Sequence, residues 1–82
     1  MGNHNYAIQD FEMAIKIDPN HAMSYFHLGV SRLRSRHVRD AEEDFKESLV
    51  RAQDEEIPKI QDGLGCCYIA MEKYEEAIAE FN

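Results

Sequence analysis

An 82-residue chain with 44% hydrophobic and 30% charged side chains is long enough for one small domain and too apolar to stay disordered. Sixteen acidic against nine basic residues leave a net charge of −7, a field that repels phosphate backbones and anionic membranes, so nucleic acid is not a first-choice partner and no membrane is expected. No run reaches the roughly 18 apolar residues of a membrane span, and the adjacent Cys66 and Cys67 cannot frame a disulfide scaffold, which points to an intracellular, cytoplasmic setting.

Taken in order, Tyr6, Ala7, Phe11, Ala14 and Ile15 recur at helical spacing and predict a first helix that stops near Ile17, because Pro19 cannot continue the ladder. Asn20 is the expected N-cap of a second helix, whose positions Tyr25, Leu28, Gly29, Val30 and Leu33 carry it to about Ser35. A third runs from about Val38 to Ala52, with Ala41, Phe45, Ser48 and Leu49 on one face. After a polar connector, Pro58 suits the first turn of a fourth helix holding Ile60, Leu64, Gly65, Tyr68 and Ile69, and a fifth is expected from about Tyr74. Short connectors between short helices force successive antiparallel packing, so the expected fold is all-α, a solenoid of helical hairpins with about five helices.

The chain also repeats itself. Ala7-x3-Phe11, Ala41-x3-Phe45 and Ala77-x3-Phe81 recur at steps of 34 and 36 residues, and Leu28-Gly29 and Leu64-Gly65 recur at 36. A small residue followed four later by an aromatic lets two helices approach closely while the ring fills the space beside a facing glycine. This pattern resembles the tetratricopeptide repeat, whose signature carries Leu-Gly and Tyr on its first helix, then Ala-x3-Phe, Ala and Pro on its second. On that resemblance, 1–20 is the second helix of a partial repeat (Ala7, Phe11, Ala14, Pro19), 21–55 a full repeat and 56–82 a third that stops within its second helix. Tyr68 takes the signature's Tyr position. Arg32, Ser48 and Gln53 depart from the signature, and the middle repeat is therefore expected to be the least tightly packed. Cys67 falls at a small packed position.

The resemblance implies a right-handed superhelix whose inner, concave surface holds peptides or helices of partner proteins. By matching positions that surface comprises Met23, Phe26, His27, Val30, Arg34, Lys59, Asp62 and Cys66, with Phe26 as an exposed anchor and Arg34 and Lys59 steering an acidic segment. A different reading starts from Arg32, Arg34, Arg36 and Arg39, a basic cluster able to bind a phosphopeptide or RNA, or simply to pair with the acidic run beside it. His4, His21, His27 and His37 lack metal-ligand spacing, and no nucleophile elbow or phosphate-cradling loop is present, so no metal, no cofactor and no catalysis are expected. Two open ends, Ala7 with Phe11 at one and Phe81 at the other, are expected of a segment of a longer array, or else of ends that pair with another copy or protein, by self-association or exchange of end helices.

Overall fold

Four α-helices follow one another in the computed structural model, which describes the backbone of residues 3–81 and the side chains of 6–73 and 75: α1 (Asn3–Ile17), α2 (Ala22–Arg34), α3 (Val38–Arg51) and α4 (Ile57–Phe81), with one 3-10 turn (Asp54–Glu56) before α4. Among the described residues there is no strand. Successive helices pack as antiparallel neighbours, giving a row only 15 Å thick in its thinnest direction.

Each helix end has a local cause. Pro19 closes α1, and the Asp18 carboxylate accepts a hydrogen bond from the Asn20 N–H at 3.2 Å, a turn that redirects the chain. The N-cap of α2 is His21 rather than Asn20, with its Nδ1 2.7 Å from Ser24 Oγ. At the other end of α2 the His37 N–H donates to the Arg32 carbonyl at 2.8 Å and the Arg36 N–H to that of Leu33 at 3.1 Å. This is a Schellman turn in which Arg36, at φ 69°, occupies the left-handed position usually held by glycine. Ser35 Oγ reinforces it by donating into the carbonyls of the last turn, with Ser31 O at 3.0 Å. Before α4, the Glu56 carboxylate accepts from the Gln53 N–H at 2.9 Å.

α4 differs from expectation: one helix of 25 residues runs where a fourth and a fifth were predicted. The reason is local. Thirty-six residues after Ser35, Arg36 and His37 stand Met71, Glu72 and Lys73, three good helix formers without a hydroxyl to close the turn. Nothing at 71–73 stops the ladder. The packing expected of Tyr74, Ala77 and Phe81 lies outside the described side chains.

The core is centred on Phe45, fully buried with Ala41, Ile60 and Cys67 and bordered by Phe26 and Leu64. Its ring lies between two glycines: a Cβ added at Gly29 on α2 would come within 2.9 Å of it, and one added at Gly63 on α4 within 2.7 Å. Removing this side chain from water stabilises the fold by about 1.5–3 kcal/mol. Gly29 thus faces the ring as its spacing implied. Gly65 does not, since nothing lies within 4 Å of where its Cβ would be, and Tyr68, expected in the packing, is 49% exposed. Both follow from the straight course of α4, which brings no helix back over this face.

The middle hairpin is also not the loosest part of the row. Its departures from the signature serve it: Ser48, fully buried, donates to the Ala22 carbonyl at 2.8 Å, and Arg32 Nη1 reaches both Asp44 oxygens at 3.0 and 3.1 Å. α1, by contrast, has no fully buried residue among those described. It is held to the rest through the Phe11 ring stacked on His27 at 5.4 Å, the Glu12–Arg32 pair at 3.5 Å and the Pro19 carbonyl, which accepts from Arg51 Nε at 2.7 Å.

Candidate protein-binding face

α2 and α4 are neighbours across the row, and the face they share carries the residues expected on the concave surface. On α2, Met23, His27, Val30 and Arg34 follow one another at spacings of four, three and four, one stripe of a helix; on α4, Lys59, Asp62 and Cys66 do the same at three and four. Met23 and Val30 are half-buried against the core, whereas His27, Arg34, Lys59, Asp62 and Cys66 are exposed.

Phe26 requires a correction. It is 8% exposed, packed against Phe45 at 5.7 Å between ring centroids and covered by Lys59, whose Nζ lies 5.3 Å from the ring centroid. A helical pattern gives the side on which a residue lies but not the depth to which a neighbour covers it, and here the Lys59 ammonium lies over the ring. Phe26 is therefore a core residue under the face, not an exposed anchor. What the structure brings together above it is Lys59 and His27. Burial holds the His27 imidazole below its ordinary pKa, and the nearby Lys59 and His21 add to that depression. The face thus offers two exposed cations, Lys59 and Arg34, one carboxylate, Asp62, an imidazole and an apolar strip. Arg34, Asp62 and Cys66 make no hydrogen bond or ion pair among the described residues.

The basic cluster does not converge on a common point. Arg32 is turned to Asp44 and Glu12, as its acidic surroundings implied, and Arg36 is taken up by the turn itself. Arg36 and Arg39 do border a cleft of about 350 Å³, but Asp40, Met71 and Glu75 line it too, so its charge is mixed. This cleft was not legible in the sequence, because it exists only where the straight α4 passes the α2–α3 turn.

The two cysteines answer to their environments. Cys67 is fully buried, and burial, aided by Glu42, pushes its thiol up to about 11, so it stays protonated and inert. Cys66 is exposed on the face described above. Among the described residues no group of three or more His, Cys, Asp or Glu side chains is placed to hold a metal ion, and no helix is long and apolar enough to cross a membrane.

Antiparallel hairpins stacked in a row, with an aromatic of one helix seated on glycines of the helices before and after it, define a helical-repeat protein. Residues 59–82 match the family model of the tetratricopeptide repeat, so that this part of the chain is similar to one repeat of that family. No curated protein and no solved structure matches the chain. Tetratricopeptide repeats generally mediate protein–protein interaction and are typically non-enzymatic.

Proposed function

We propose that this chain is a non-catalytic scaffold that receives a peptide or helix of a partner protein on the α2/α4 face. The observation that carries this reading is the juxtaposition of Lys59 and His27 over the Phe26 ring, flanked by half-buried Met23 and Val30. An apolar strip bordered by cations suits an amphipathic or extended segment with acidic residues at its edge. Arg34 at one end of α2 and Lys59 near the start of α4 steer that edge, while Met23 and Val30 take its apolar side chains.

The test begins with a displayed peptide library selected against the chain, followed by titration of the selected peptides into isotope-labelled protein. Perturbed amides should cluster at 23–34 and 59–66. Lys59→Glu with Arg34→Glu, both exposed, should weaken binding of acidic peptides about tenfold or more at unchanged helical content. Perturbations confined to α3, or affinity indifferent to both charge reversals, would sink the reading.

A further inference from the structure

Three cations of this chain are paired with carboxylates: Arg32 with Asp44 and Glu12, Lys46 with Glu42, and Arg51 with Glu47. Lys59 is not, although acidic side chains outnumber basic ones by sixteen to nine. Among the described residues its ammonium makes no ion pair, and it lies over the Phe26 ring instead. His27 stands edge-on to the same ring at 5.4 Å between centroids and is stacked on Phe11 of α1, so it sits between α1 and α4 in the middle of the row. Among the described residues its ring nitrogens make no hydrogen bond, unlike those of His21 and His37. The charged and titratable groups around it are few. α1 presents the uncharged Phe11, with the Glu12 carboxylate beside it engaged by Arg32 at 3.5 Å. The turn before α2 presents His21, α4 presents Lys59 and, one turn on, Asp62, and α2 itself carries Arg34 two turns away. Burial, Lys59 and His21, in that order, all hold the imidazole below its ordinary pKa. At neutral pH an uncharged imidazole therefore stands beside an unpaired ammonium.

We propose that a side-chain carboxylate of the partner seats between Lys59 and His27, and that His27 takes up a proton from solvent as it does so. This step rests on the α2/α4 face receiving an acidic segment, and it adds the point of contact and its control by pH. A carboxylate beside Lys59 offsets the repulsion that keeps a second positive charge away, and it gives the imidazolium an acceptor. The proton passes from water or buffer to a ring nitrogen, no other covalent bond is made or broken, and the proton returns to solvent when the partner leaves. Binding and protonation therefore favour each other by the same factor. The sign follows from the two end states. The free face carries a neutral imidazole at neutral pH and the occupied face an imidazolium, so affinity rises as pH falls, and it levels off once both states are charged. Because His27 is exposed, the added ion pair strengthens binding by about fivefold at most.

The probe is the tightest acidic peptide from the library selection, amidated at its C-terminus so that only side chains carry carboxylates. Titration calorimetry in two buffers of different ionisation heat reads its affinity and proton uptake from about pH 7.5 down to about 5.5. Wild type should bind about fivefold more tightly at the acid end and take up part of a proton. His27→Gln should lose both the pH dependence and the uptake. Asp44, whose carboxyl burial pushes up to about 6 against the pull of Arg32, titrates in both proteins and drops out of the difference. Linkage that disappears in His21→Gln and persists in His27→Gln overturns the assignment. Because glutamine also removes the stack on Phe11, a second measurement stays with the wild type. The His27 ring signals, followed by NMR against pH, should show a higher midpoint with saturating peptide than without, and a midpoint unmoved or lowered overturns the proposal. Perturbed amides at 23–34 and 59–66 with flat affinity and no proton uptake overturn the coupling and leave the binding face standing. A footprint elsewhere, or a selection without acidic peptides, overturns both.

Discussion

Three glycines in similar sequence settings have opposite physical roles. At Gly29 and Gly63 an added methyl group meets the Phe45 ring at 2.9 and 2.7 Å, and that ring is fully buried and has no room to retreat. Overpacking outweighs the gain in helix propensity, so Gly29→Ala and Gly63→Ala should each destabilise by about 1–2 kcal/mol. Gly65→Ala meets nothing and should stabilise by about 1 kcal/mol, measured by urea unfolding at low concentration. Equal effects at the three positions would refute the clamp on Phe45. Arg36 is the converse case, a side chain held at φ 69° where glycine carries no steric penalty. Arg36→Gly should raise stability by about 1 kcal/mol, and a loss of stability would mean that the arginine makes a contact worth more than its strain.

Asp44 sets a pH dependence that can be isolated by one substitution. Burial pushes its carboxyl up to about 6, against the pull of the Arg32 guanidinium, with Asp40 and Glu43 adding to the rise. Unfolded, the group titrates near 3.8, so between about pH 4 and 6 the folded chain keeps a proton that the unfolded chain has released. Acidification through that window therefore stabilises the fold at this position, and raising the pH through 6 removes the stabilisation. His27, held low by burial, works in the opposite direction as pH falls through its ordinary range, so total stability mixes the two. The difference between wild type and Asp44→Asn removes the histidine. It should shift in favour of wild type by on the order of 2 kcal/mol from pH 7 to pH 4, and a difference that is flat with pH would rule out a buried, proton-holding Asp44.

At the scale of elements the decisive feature is that α4 does not turn. Spin labels at positions 61 and 80 should lie roughly 28 Å apart along a continuous helix, plus the reach of the labels. A hairpin with the register of α2 and α3 would bring them to about 12 Å, and that distance would overturn the straight α4. The comparison also shows what a sequence can and cannot disclose. Pro19, the Ala7-x3-Phe11 and Ala41-x3-Phe45 spacings and the Leu28-Gly29 pair carry local, periodic information, and the α1–α2 and α2–α3 hairpins they imply are present. The behaviour of 71–73 hinges on an absence, a missing hydroxyl and a missing glycine, set against a repeat that asks for a turn. The depth of Phe26 depends on Lys59, 33 residues away, and no local pattern carries it. The seat at Gly63 falls outside the repeat, which marks Gly65 two residues later, although a glycine inside an apolar helical stretch is itself a sign of close approach.

At the scale of the whole molecule, stability is unevenly distributed along the row, and this sets an order of opening. α2, α3 and α4 share the Phe45 core, so none of the three separates without exposing it. Among its described residues α1 has none fully buried, and the contacts that tie it to the rest include one ring stack, a 3.5 Å ion pair and the carbonyl at its exit. Local opening costs least where few apolar contacts are lost, so α1 should detach well below the free energy of global unfolding. Native-state hydrogen exchange at low protein concentration should find α1 amides several kcal/mol less protected than those around Ala41 and Phe45. Protection of α1 equal to that of the core would contradict the uneven row.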